Sequence, residues 1–439
     1  MNRIRTRRFA AVTSSLALAA GVLVGCSTTA DSTTTVSATS ATSVTAAATA
    51  DDAAADDANA TSAATATNAS NQNATSASDT HYDADDLTWD ASDEVAITLA
   101  DGASAGEGVS VDGDIVTITS GGVYRISGTL TDGQVVVAAP DDETVTLILD
   151  NASITNSAGP AIAVTSADEV TIVLADGTTN SVQDGSGYTV PDDATPVAAI
   201  ASASDLTIAG TGTLNVTGST NDVINSTDGL VIVSGTLNVT AADDGIRGKD
   251  YVQILDGTIT VTAGGDALKA DNTEDADRGW VRIDGGSVTI EAGDDGIHGE
   301  RAVEITDGTV TVTQSVEGIE GQDITISGGT VAVTASDDGI NATAVSVEAG
   351  TGGTESDDGS LLTISGGTVT VNAGADGIDS NGSVSLTGGG ITITSGAGGG
   401  TGAVDANGTI EFTAAQLTAN GTQITSADQL GTRMGGGRP

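Results

Sequence analysis

Aromatic side chains make up only 2% of this sequence, and its 439 residues include one cysteine and five prolines. So few aromatics exclude a conventional bulky globular core. They suit a narrow core of aliphatic side chains, as in repetitive β structure. With Cys26 as the sole cysteine, disulfides and cysteine-ligated metal centres are excluded. Basic residues are scarce as well: 13 Lys and Arg stand against 60 Asp and Glu, a formal net charge of −47. Such a surface repels nucleic acid and anionic membranes and attracts cations. Carboxylates at this density must be held apart, solvated or neutralised by metal.

Charge is distributed unevenly from the start of the chain. Residues 1–25 hold Arg3, Arg5, Arg7 and Arg8, no acid, and an apolar stretch from Phe9 to Val24. Losing those four positive charges leaves −51. Leu23-Val24-Gly25-Cys26 resembles the lipobox of bacterial lipoproteins. A signal peptide over 1–25 is therefore expected, with cleavage before Cys26 and lipid on its thiol. That predicts an exported protein held at the outer face of the cell membrane by its lipid anchor alone. Residues 26–84 are mostly Ser, Thr, Ala, Asp and Asn and read as a disordered linker. Its length spans roughly 40 Å as a coil, or up to about 180 Å stretched. A single domain is expected over 85–430, followed by a flexible tail over 431–439.

Internal repetition dominates the domain. An acid, usually a Gly and a large aliphatic recur as Asp244-Gly245-Ile246, Asp266-Ala267-Leu268, Asp295-Gly296-Ile297, Glu317-Gly318-Ile319, Asp338-Gly339-Ile340 and Asp376-Gly377-Ile378, with a weaker copy at Asp222-Val223-Ile224. From Asp222 the acids are 22, 22, 29, 22, 21 and 38 residues apart, so the period is 22, with insertions near Asn272–Arg278 and Glu348–Gly359. Between these units lie alternating phrases such as Gly257-Thr258-Ile259-Thr260-Val261-Thr262, each preceded by a shorter strand such as Val252–Ile254. Alternation of aliphatic with Thr marks strands with one buried face. Three short strands per rung, parted by Gly, Asp and Asn turns, predict an all-β fold, a right-handed parallel β-helix of 22-residue rungs.

In such a solenoid, equivalent positions stack about 4.8 Å apart, so a repeated residue becomes a column. The aliphatic of each unit should face inward and the next residue outward. That outward column reads Arg247, Lys269, His298, Glu320, Asn341, Asp379 and Asp405, cationic first and anionic last. Of the seven Lys and Arg between Asp93 and Ala427, six fall within three consecutive rungs: Arg247, Lys249, Lys269, Arg278, Arg282 and Arg301. They read either as a landing site for an anionic polymer or as local charge neutralisation. Tyr251 and Trp280 share an outward position on neighbouring rungs, able to stack on sugar rings or to pack under the nearby insertion. The expected ligand-binding set is Arg247, Lys249, Tyr251, Lys269, Trp280, Arg282, His298 and Arg301. Farther on, Glu317, Glu320, Asp337, Asp338, Asn341, Asp376, Asp379 and Asn381 occupy turn and outward positions. Hard oxygen donors at this density suit calcium. With no cysteine in the domain and only His81 and His298, zinc is disfavoured.

Ser315-Val316-Glu317-Gly318-Ile319-Glu320-Gly321, Ser336-Asp337-Asp338-Gly339-Ile340-Asn341-Ala342 and Ala375-Asp376-Gly377-Ile378-Asp379-Ser380-Asn381-Gly382 look like the signature of one family. It is the bacterial carbohydrate-binding β-helix family typified by a clostridial surface protein for cellulosic and acidic polysaccharides. The resemblance covers about Asn221 to Gly408 and implies a right-handed parallel β-helix similar to calcium-dependent pectate lyases, bound calcium and affinity for uronic-acid polymers. The pattern degrades at Thr401-Gly402-Ala403-Val404-Asp405.

Three functions compete. A polysaccharide-binding protein would use the cationic and aromatic residues together with calcium. A lyase would need a cation on the uronate carboxylate and a base beside it, for which Lys269 or Arg247 is the candidate. An adhesive or structural role would use the outward Thr columns, which also follow from the β propensity of Thr.

Overall fold

The computed structural model describes residues 80–187, 197–344, 357–396 and 402–430. The expected signal peptide, Cys26, the linker before Thr80, most of the second insertion and the tail lie outside these residues. The described chain is all-β, with three short 3-10 turns at Ala84–Leu87, Ala91–Asp93 and Ala427–Gln429. None of its helices is long and apolar enough to cross a membrane.

The strands form one long sheet in which the chain returns to pair in parallel with its own earlier course. Each return carries three strands, and they build three ladders. In the first ladder Ile224, Ile246, Leu268, Ile297, Ile319, Ile340 and Ile378 stand in register, and Val404 joins through an isolated parallel bridge. The second aligns Val252, Val281, Val303, Ile324, Leu362 and Val384. The third aligns Leu237, Ile259, Val288, Val310, Val331, Val369 and Ile391. These side chains are buried in one continuous core. The 22-residue period and the inward column thus appear at the expected positions. The sequence chooses this register because a slip of one residue would turn every aliphatic outward.

Rungs sit close where the repeat has Gly. A Cβ on Gly339 would lie 2.1 Å from Val371 Cγ1 and 2.6 Å from the Gly377 carbonyl oxygen. Among the described strands, antiparallel pairs occur near the two ends: Glu94–Leu99 with Ala105–Gly106, Ser110–Asp112 with Ile115–Ile118, and Gln416–Ala419 with Thr422–Ile424. These short hairpins turn the chain back on itself near the terminal rungs, limiting the edge left for pairing.

Candidate functional site

Four of the turn acids that open rungs of the first ladder, Asp244, Asp266, Asp338 and Asp376, form a comb. Asp244 Oδ1 accepts the Asp266 amide at 2.9 Å, Asp266 Oδ1 accepts the Asp295 amide at 2.9 Å, and Asp338 Oδ1 accepts the Asp376 amide at 2.7 Å. Asp376 in turn accepts the amide of Gly402. One oxygen of each carboxylate is thereby locked by the next rung. The other oxygen is left for whatever lies alongside, in the column Arg247, Lys269, His298, Glu320, Asn341, Asp379.

In the earlier rungs that neighbour is a cation. Lys269 Nζ lies 2.9 Å from Asp244 Oδ2 and 2.9 Å from Asp266 Oδ2. Burial opposes its charge, but Asp266 and Asp244 outweigh burial and hold the ammonium above the usual lysine range. His298 Nδ1 lies 3.1 Å from Asp295 and 3.3 Å from Glu320, with Nε2 3.5 Å from Glu300. Burial again opposes the charge, yet hydrogen bonds with Asp295, Glu300 and Glu320 push the imidazole up to about 12. Arg247 makes a two-pronged contact with Asp271 and donates to Asn225 Oδ1 at 3.2 Å.

Beyond His298 the column turns to oxygen. Carboxylate oxygens of Asp295, Glu317 and Glu320 lie within 4.8 Å of one another, as do those of Asp376, Asp379 and Asp405. Burial, aided by Glu320, pushes Glu317 up to about 7 against a hydrogen bond from Asn341. Burial followed by Asp338, Asp376 and Asp405 pushes Asp379 up to about 7. Glu320 goes the other way, lowered first by its hydrogen bond with His298. Asn341 donates to Glu317 Oε2 at 2.9 Å, while its Oδ1 is buried without a partner. An orphaned amide oxygen beside clustered carboxylates is a donor set that fits calcium, which takes six to eight hard oxygens. An open cleft of about 570 Å³ brings Asp266, Lys269, Asp295, His298, Glu317 and Glu320 together.

Four of the eight residues expected to hold metal fall in these clusters: Glu317, Glu320, Asp376 and Asp379. Asp338 belongs to the comb and Asn341 adjoins Glu317. Two stand apart. Asp337 is exposed outside both clusters. Asn381 is engaged by Thr343 and Asn407, forming a polar stack of its own. Asp295 and Asp405 complete the two clusters and were not among the eight, although each stands in a repeat the sequence displays.

The ligand-binding set needs two corrections. Tyr251 and Trp280 do face away from the main core, but they are only 2% and 1% exposed. Their rings stack on each other at 4.6 Å and 8° beneath Tyr82, Val233 and Leu255. His81 pins the cover, its main-chain N–H donating to Tyr251 Oη at 2.8 Å while Nε2 meets Thr207 Oγ1 at 2.8 Å. Alternation gives the direction a side chain points, not what later docks over it. Neither face is open to a sugar ring. The second correction concerns the cations, which do not converge as one landing site. Arg282 stands on the second ladder, paired with Asp284 and Glu304. Lys249 reaches Glu274 at 3.5 Å, and Arg301 donates to the Thr273 and Asp275 carbonyls of the insertion. Each neutralises its own surroundings.

Similarity to known proteins adds to this geometry. A family model described as carbohydrate-binding domain-containing protein matches residues 112–360. A carbohydrate-binding domain-containing protein of Acetivibrio thermocellus is 39% identical over 137 residues, which is 31% of this chain and 48% of that protein. This chain therefore spans about half the length of that relative. A solved structure, a gadolinium derivative of the polysaccharide lyase-like protein from C. thermocellum, is 36% identical, covering 53% of this chain and 94% of that one. Its TM-score against this chain is 0.49.

Proposed function

Because the chain belongs to the family of carbohydrate-binding domain-containing proteins, we propose that it binds polysaccharide along the outer face of the first ladder, with calcium as the bridge. We read the three ladders as a right-handed parallel β-helix and the polymer as acidic, polygalacturonate-like, or cellulosic. The observation that carries this reading is the pair of carboxylate clusters, Asp295–Glu317–Glu320 and Asp376–Asp379–Asp405, on a face that also presents Lys269 and His298. A calcium ion held by these clusters would neutralise their carboxylates and leave coordination positions for uronate oxygens. Lys269 and His298, already paired with Asp244, Asp266, Asp295 and Glu320, would mark the end of that bridging face. The tether through Cys26 would carry this face into the cell wall.

The lyase reading is weaker. A β-elimination needs a base without its proton, whereas of the two candidates Lys269 is held as a cation by Asp266 and Asp244 and Arg247 is taken up in its ion pair with Asp271. The test uses the purified mature chain on polygalacturonate and on cellulose, with calcium or with chelator. Retention on polygalacturonate that chelator abolishes, without ultraviolet-absorbing unsaturated products, is expected. Release of such products would establish the lyase instead. Equal retention with and without chelator would remove calcium from the mechanism.

A further inference from the structure

The comb of the first ladder recurs at Asp244, Asp266 and Asp338, and what faces it changes along the column. Asp244, Asp266 and Asp338 use one oxygen identically, accepting the amide of the next turn acid. Asp244 and Asp266 aim their second oxygens at a single point 2.9 Å from each, and Lys269 Nζ sits there. Their side chains are only 9% and 7% exposed, so water does little to relieve their repulsion. Asp243 and Asp294 also lie within the influence of the same ammonium. Two nearly buried carboxylate oxygens aimed at one positive centre is the charge pattern of a cation site, built here around a side chain.

The same column position changes chemistry farther along. After His298 it holds Glu320, Asn341, Asp379 and Asp405, and from Ala302 to Thr432 the sequence has acids but not one Lys, Arg or His. In that stretch the buried Asn341 Oδ1 is an acceptor in want of a donor or cation. Cations within the chain and cations from outside therefore solve one problem on consecutive rungs.

We infer that Lys269 is a tethered substitute for a divalent cation: its ammonium fills a latent metal site between Asp244 and Asp266 and ends the metal-binding stretch there. This rests on the calcium reading of the later rungs, but it makes a claim of its own. An ammonium cannot offer free coordination positions to a polymer, whereas a bound ion can. Lys269 thus fixes how far along the face calcium bridging extends.

The test counts calcium per chain by equilibrium dialysis on the full mature protein and follows thermal melting with and without calcium. Lys269→Ala should bind one more calcium than the natural chain. It should melt lower than the natural chain in chelator and recover in millimolar calcium. Lys269→Arg, which keeps the charge, and the double variant Lys269→Ala, Asp266→Asn should both return to the natural count. If Lys269→Ala folds only when calcium is present, that too is the expected result. If it folds in neither condition, Lys269→Gln takes its place and must show the extra ion. A folded Lys269→Ala or Lys269→Gln with an unchanged count overturns the inference. A natural chain that binds no calcium would instead end the calcium reading of the later rungs, and an ion gained by Lys269→Ala would still decide this one.

Discussion

Between Asp244 and His298 the outer face of the first ladder is ion-paired with the chain's own cations, whereas between Glu317 and Asp405 the same columns carry oxygen alone. The backbone is the same in both halves, with the same register and inward aliphatics. What differs is the residue after the aliphatic, so that one side chain per rung decides the electrostatics of a scaffold that does not change. In the first half the cations are held charged: Lys269 and His298 are driven up by their carboxylates. In the second half burial acts on carboxylates lacking a cationic partner, and Glu317 and Asp379 rise to about 7. A repeated parallel-strand scaffold can thus grade the charge of its surface without altering its register.

The comparison breaks most severely if the internal cation is removed. Lys269→Ala in chelator should cost about 3 kcal/mol, the low end for stripping one partner from a buried ion pair, since Lys269 keeps a quarter of its side chain accessible. Denaturant unfolding measures this, and a loss below about 1 kcal/mol would mean that solvent already screens Asp244 and Asp266. Removing external cations should act on the second half alone. Calcium at a hundredfold excess over its Kd should stabilise the natural chain by about 2.7 kcal/mol. Asp379→Asn should remove much of that difference, and a melting curve identical with and without chelator would contradict it.

The two halves should also differ in their response to pH. Glu317 and Asp379 have folded pKa values near 7, above their ordinary ones of 4.5 and 3.8. The folded state therefore binds protons more tightly than the unfolded state at these sites. Their stabilising effect is full below about pH 4 and is lost as pH rises through 7. Metal-free protein should accordingly gain stability as pH falls from 8 toward 5, on the order of 1 kcal/mol per group once partial exposure is allowed for. Glu317→Gln together with Asp379→Asn should reduce that gain without abolishing it, because burial also raises Glu169, Asp222 and Asp228 to about 7. A natural chain whose melting temperature falls steadily over that range would refute the assignment.

Much of this contrast was legible in the sequence, because a strict period converts position into place. The inward column from Ile246 to Val404 and the outward one from Arg247 to Asp379 were readable as written. The partners were less so. Asp271 stands just before the insertion, one rung on from Arg247, and only the fold shows that its carboxylate turns to the guanidinium. Asp295 serves His298 and the Glu317 cluster at once, a sharing that spacing alone does not reveal. The cover over Tyr251 was beyond reach, since His81 is 170 residues distant and carries no repeat signal.

The smallest expected effect tests whether that cover matters to binding. Trp280→Phe keeps a ring stacked on Tyr251 and deletes the indole N–H, which is buried without a partner. Dropping an unpaired buried donor removes a desolvation cost, while the smaller ring gives up some packing, so stability should change by about 1 kcal/mol or less. Affinity for polygalacturonate should not change, because Trp280 is 1% exposed on the second ladder whereas the clustered carboxylates and Lys269 stand on the first. A tenfold fall in affinity, with the melting temperature preserved, would show that the segment bearing His81 and Tyr82 lifts off and that the rings meet the sugar. The contrast between the halves of the first ladder would then describe only part of the binding face.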